Sequence, residues 1–309
     1  MIDRLQQVLS AWQPTTAWST ESGTPGVASP HRVATEWAGF KVKSATQNLY
    51  AKVLYDDQRA LIDVARSVAA GRAAAEQGLS PQLVHADIEQ GVVIYVALDH
   101  SWRWATLDQL MQPQHFSRLT QMLDRLHTVT LPLQTRQDDM QLLRQRCQKA
   151  GVTLPDEMVW LAECVDLAWA ALTAQTNSPV LIHGDPIASN WLVSDRGEWQ
   201  LLDFDYASQG DPWFDVAVLL NERMPFDDQW REAITAWRGE CSEVDYARCR
   251  LYALIDDYYW TLWGYYNSHT SPRGLEFAKV GQWTLLRCRQ SARDPRLERW
   301  LALVAGSAA

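Results

Sequence analysis

The chain has 309 residues, 47% of them hydrophobic and 21% charged, which supports a sizeable packed core and excludes wholesale disorder. Its formal net charge of −9 argues against a nucleic-acid partner, which calls for a basic face, and suits attraction of a cationic small molecule. The five cysteines are scattered without a CxxC pair, the N-terminus lacks the apolar run of a signal peptide, and no stretch approaches the roughly 20 apolar residues of a membrane span; a cytoplasmic protein with neither disulfide framework, structural zinc nor membrane partner is expected.

In chain order, a short amphipathic stretch leads into Ser19–Pro30 (STESGTPGVASP), whose Gly, Ser, Thr and Pro content predicts a loop. The runs FKVKSA (40–45) and NLYAKVLY (48–55) predict a β-hairpin, and the alanine-rich stretch 61–78 predicts a helix ending at Gly78. Two further strands are expected around Gln90-Gly91. Residues 30–98 thus read as a small α+β lobe, followed by a tract with few periodic signals, DHSWRWATLDQLMQP. Beyond it, Phe116, Leu119, Leu123 and Leu126 share one helical face, as do Met158, Leu161, Val165, Ala168 and Leu172. Residues 180–207 predict a loop and then a hairpin turning at SDRGE, and from about residue 212 the pattern is mainly helical.

Chemistry concentrates in that central loop and hairpin. Phosphoryl transfer needs a carboxylate to orient the acceptor hydroxyl and take its proton, oxygen ligands for magnesium, and a cation on the nucleotide phosphates. His183-Gly184-Asp185 is followed five residues later by Asn190, and Asp203 stands thirteen residues beyond, after the predicted hairpin. The spacing matches a kinase catalytic loop and its metal-binding acid, with Asp185 as base and Asn190 and Asp203 as magnesium ligands.

The block HGDPIASN…LLDFDYASQGDPWFDVA resembles the aminoglycoside phosphotransferase and choline kinase superfamily, and RLTQMLDRLHTVTLP resembles that family's helix ending in LHxxxxP. Over roughly residues 30–290, the resemblance implies an α+β, two-lobed, protein-kinase-like fold. The expected division is an N-terminal extension (1–30), a nucleotide-binding β-rich lobe with one main helix (31–98), a linker (99–115) and a mainly helical catalytic and acceptor-binding lobe (116–309). It implies ATP and Mg2+ as cofactors, Lys52 gripping the α- and β-phosphates, and His183 and Asp215 as structural support. A glycine-containing turn between the first two strands is expected over the phosphates, where ATEWAGF offers only Gly39. The helical glutamate that normally pairs with the lysine aligns with Ser67; Asp63, one turn earlier, is an alternative partner, and Glu76 stands close to the helix end.

For the acceptor, IDDYYWTLWGYYN (255–267) resembles the WxLW-like segment of choline kinases and places Asp256, Tyr259 or Trp260, and Trp263 on one face. A carboxylate beside aromatic faces suits a quaternary or delocalised cation. The same residues also fit core packing with an acid at its rim. Asp205 is a further candidate, beside the metal or the acceptor. The expected function is ATP-dependent phosphorylation of a small choline-, ethanolamine- or thiamine-like alcohol. An antibiotic phosphotransferase and a pseudokinase-like binding module are the alternatives. His-Gly-Asp in place of His-Arg-Asp, with no APE segment after Asp203, speaks against a protein kinase.

Overall fold

A computed structural model describes residues 1–23, 36–174 and 178–306. The chain divides into two units, Met1–Thr106 with Asp185–Ala207, and Leu107–Gly184 with Ser208–Ala309.

The first unit is built on an antiparallel sheet of β1 (Ser19–Ser22), β2 (Trp37–Lys43), β3 (Asn48–Leu54), β4 (Leu83–Asp87) and β5 (Val92–Val96), ordered β1-β2-β3-β5-β4. Alternate residues of the three central strands, among them Val42, Ala51, Val53 and Ile94, form an apolar face. Helix α1 (Ile2–Trp12) covers that face with Leu5, Val8 and Leu9, which its helical spacing brings to one side. Alternation sends Lys52 to the opposite face, in register with Gly39 on one neighbouring strand and Val93 on the other. Helix α2 (Val64–Glu76) is capped by Asp63, whose carboxylate accepts from the Arg66 N–H at 3.0 Å, and Gly78 follows it in the left-handed region (φ 68°).

The stretch from Ser19 departs from expectation. Ser19–Ser22 is a strand rather than a loop, pairing with Phe40–Lys43. An edge strand with mostly exposed side chains needs only backbone partners, so its polar sequence carries no strand signal. The rest of that expected loop, 24–30, lies outside the described residues. The tract after residue 98 contains β6 (Trp102–Trp104), which pairs with β8 (Trp191–Ser194); β8 and β9 (Trp199–Leu201) form the expected hairpin.

The second unit contains α3 (Leu107–Leu110), α4 (Pro113–Leu126), α5 (Arg136–Ala150) and α6 (Met158–Thr173), then a strand pair, β7 (Val180–Ile182) with β10 (Ser208–Gly210). Helices α7 (Pro212–Arg223), α8 (Asp227–Arg238), α9 (Glu243–Thr270), α10 (Phe277–Ala292) and α11 (Leu297–Val304) complete it. The predicted faces of α4 and α6 are buried. Helix α9 is buried on nearly every side because α5, α6, α7, α10 and α11 surround it. No helix among the described residues is long and apolar enough to cross a membrane.

Candidate active site

The catalytic loop is braced within the second unit. Asp211 caps α7, accepting from the Trp213 N–H at 3.0 Å, and Pro212 takes the first helical position, where its missing N–H costs nothing. This start puts Asp215 in the first turn, fully buried, where Oδ2 accepts the His183 N–H and Oδ1 the Gly184 N–H, both at 2.8 Å. The main chain of His183 is thus tied to α7. His127 Nε2 lies 3.0 Å from the same carboxylate. Gly184 has φ 80°, which explains the glycine of HGD. At Gly210 a Cβ would stand 2.6 Å from Ile182 Cδ1, so a larger residue in GDP would require the Ile182 side chain to shift. His127 is the histidine of the LHxxxxP stretch, whose spacing alone does not mark it as a site residue.

The reactive groups gather within the first unit. Asn190 Nδ2 donates to the Asp185 main-chain carbonyl at 2.7 Å and to Asp185 Oδ2 at 3.2 Å. The Leu202 N–H donates to the Asn190 carbonyl at 2.8 Å, so the hairpin that leaves Asn190 returns beside it just before Asp203. Asp203 has φ 67°, the only positive φ of a non-glycine among the described residues. Aspartate tolerates this left-handed region better than most residues, yet it is uncommon and typical of functional turns. Its Oδ1 accepts from Lys52 Nζ at 2.9 Å.

The Asn190 amide directs its N–H groups at Asp185, and its Oδ1 accepts no hydrogen bond among the described residues. That oxygen and the Asp203 carboxylate are hard donors of the kind magnesium takes. Magnesium is typically held by one or two protein ligands with substrate phosphates, not by an all-protein cage. The donor set fits even though no cluster of three acidic, His or Cys ligands exists among the described residues.

The phosphotransferase enzyme family model matches residues 36–252, more than half of the chain. The chain belongs to this family. It is 27% identical to ethanolamine kinase 2 of Rattus norvegicus over 147 residues, 41% of this chain and 36% of that relative, so the match spans about a third of the relative's length. The fold is shared with a choline/ethanolamine kinase family protein from Mesorhizobium loti (TM-score 0.77, 21% identity, 99% of each chain). It is also shared with the choline kinase LicA from Streptococcus pneumoniae (TM-score 0.75, 16% identity, 94% of this chain and 98% of that one). LicA has also been solved in complex with AMP.

The lysine of this phosphotransferase meets a carboxylate from outside α2. Lys52 pairs with Asp203, while Asp63 caps α2. Ser67, at the aligned glutamate position, donates to Asp205 Oδ1 at 2.7 Å, and Trp37 donates its indole N–H to Asp205 Oδ2. The Trp37 ring lies 4.9 Å from the Lys52 ammonium. Burial opposes the charge on Lys52, but Asp203 and then Asp205 outweigh it and hold its pKa above the ordinary lysine value. Burial, and then the charge of Asp203, push the Asp205 carboxyl up to about 6. Trp37 gave no sequence signal.

Gly39 lies inside β2 rather than in a turn, and its carbonyl accepts from the Gly23 N–H at 2.8 Å. Because β1 precedes β2, the connection between the first two strands is the segment after Ser22, which contains Gly23 and Gly26. The segment expected as a turn at ATEWAGF is thus strand from Trp37 onward.

The proposed acceptor residues sit in the second unit on α9. Asp256, Trp260 and Trp263 are all buried. Trp260 donates to Asp256 Oδ1 at 3.1 Å, the Arg136 guanidinium lies 4.0 Å from the same oxygen, and Trp263 packs edge-on against Phe277 of α10.

Proposed function

We propose that this phosphotransferase moves the γ-phosphoryl group of ATP onto a hydroxyl of a small cationic alcohol of the choline, ethanolamine or thiamine type. The observation that carries it is the convergence, within one unit, of Asp185 held by Asn190 with Asp203 held by Lys52. Asp185 orients the acceptor hydroxyl and takes its proton as that oxygen bonds to the γ-phosphorus. The bond from phosphorus to the β–γ bridging oxygen breaks, and ADP leaves with the electron pair. Asn190 Oδ1 and Asp203 would hold magnesium, which when bound neutralises charge on the phosphates. Lys52 neutralises phosphate oxygens, and Gly39 lies across from it on β2 as part of the nucleotide face. Asp215 and His183 keep the loop in place.

The cationic acceptor class is supported by the likeness to ethanolamine and choline kinases and by the net negative charge. Because Asp256, Trp260 and Trp263 are sealed in packing, we read them as supports of α9 rather than as direct acceptor contacts. A coupled ADP-release screen against choline, ethanolamine, thiamine and aminoglycosides tests the reading. Turnover with one of the first three is expected. Turnover with aminoglycosides alone would move the chain to the antibiotic branch, and normal Mg-ATP binding without turnover of any alcohol would leave a binding module.

A further inference from the structure

The α2 helix offers no carboxylate to Lys52, since Ser67 holds the place of the usual glutamate and Asp63 is committed to the helix cap. The observed partner, Asp203, is also a magnesium donor under the proposed function. When Asp203 turns to a metal, Lys52 loses its counter-charge in a partly buried setting, where an uncompensated ammonium is costly. A second carboxylate stands on the same face. Asp205 is buried, and both its oxygens are fixed, Oδ1 by Ser67 from α2 and Oδ2 by Trp37 from β2. The Trp37 ring lies 4.9 Å from the Lys52 ammonium, an arrangement in which a cation is attracted to an indole face. The neighbouring pair repeats the attachment, with the Tyr206 hydroxyl donating to Glu36 Oε1 at 3.2 Å. Two successive residues at the start of β2 thus grip two successive residues after Asp203.

We propose that Asp205, fixed by Ser67 and Trp37, replaces the missing helical carboxylate and positions Lys52 for the nucleotide phosphates. The three are positioning residues, and the proposal rests on the kinase reading of the site. In this proposal Asp205 acts through Lys52 and not as a magnesium ligand. The arrangement divides one function between two elements: the helix supplies a hydroxyl and the segment after Asp203 supplies the charge.

The test is calorimetric titration of Mg-ATP into the intact protein, which needs no acceptor, together with the magnesium dependence of that binding. Asp205→Asn and Ser67→Ala are each expected to weaken Mg-ATP affinity about tenfold, the scale of one charge-assisted contact, with the magnesium concentration for half-saturation unchanged. Ser67→Glu in the Asp205→Asn background, which returns a carboxylate to the helix, is expected to recover most of the loss. Wild-type affinity in both single variants, or a loss that excess magnesium restores, would overturn the proposal. Should Asp205→Asn fold poorly, Ser67→Ala and Trp37→Phe, which keeps the ring and removes the N–H, carry the same comparison. Wild-type protein that binds Mg-ATP but phosphorylates no alcohol would sink the kinase reading and leave this positioning role standing.

Discussion

In the first unit Trp37 donates its indole N–H to Asp205 beside Lys52, and in the second Trp260 donates to Asp256 beside Arg136. Each cluster contains a carboxylate, an indole and a cation. Their surroundings differ. Asp205 is as buried as Asp256, but the cation beside it is not sealed: Lys52 and its ion-pair partner Asp203 keep 19% and 23% of their side-chain surface, whereas Arg136 and Asp256 keep 2% and 0%. Charges that retain contact with water can exchange partners for a ligand, while sealed charges are held to one arrangement by the cost of leaving either unpaired. Under the proposed function, the difference separates a cluster that meets the nucleotide from a structural one that uses the same residue types.

The largest expected effect lies on the reactive side. Asp185→Asn should lower turnover about 10³-fold, the scale of a lost general base, while thermal shift with Mg-ATP stays as in wild type. Turnover within tenfold of wild type would remove Asp185 from the role of base. Next comes stability. Asp256→Ala should cost about 3–5 kcal/mol in urea unfolding, because it leaves a buried guanidinium facing the vacated site. Asp203→Ala should cost less, about 1–2 kcal/mol, since its ion pair is part-exposed and Asp205 still acts on Lys52, while alanine tolerates the left-handed backbone less well than aspartate. A larger loss from Asp203→Ala than from Asp256→Ala would reverse the comparison.

What the sequence discloses follows the same division. The HGD…N spacing and the hairpin leading to Asp203 are legible because each is local: a glycine at φ 80°, a fixed offset and a turn. The GDPxxD element is legible too, since an N-cap and a proline act on their own helix start and set the acid one turn in. Helix α5 escaped because few of its residues are apolar, although its Thr135–Asp138 capping box was a readable start signal. The polar strand β1 left no trace in the sequence pattern. The engagement of Asp205 by Ser67 and Trp37 joins residues more than 130 positions apart, which no periodicity encodes. Periodicity did place Asp256 and Trp260 on one face, but it does not tell an acid that lines a pocket from one that is sealed.

Asp205 gives a subtler test of the reactive cluster. Its carboxyl is pushed up from 3.8 to about 6, by burial and then by Asp203. The fold therefore favours the protonated acid. Stability from this group is complete below the unfolded value and is lost as pH rises through about 6. In nucleotide-free protein, Asp205→Asn should flatten the fall in stability between about pH 4 and 6, measured by urea unfolding across that range. An unchanged slope would show that another group carries it.

The smallest effect concerns the alternative partner of Lys52. Asp63 accepts from the Arg66 N–H at 3.0 Å and stands at the N-cap of α2, with backbone dihedrals outside the helical range. A cap satisfies one of the donors that a helix start leaves open, so Asp63→Ala should cost about 1 kcal/mol and Asp63→Ser much less. Neither should change Mg-ATP affinity, because the charge that holds Lys52 comes from Asp203 and Asp205. Weakened nucleotide binding in Asp63→Ala, with stability preserved by Asp63→Ser but affinity not, would make Asp63 the carboxylate of the lysine after all. The capping geometry would then belong to one of two states of the α2 start.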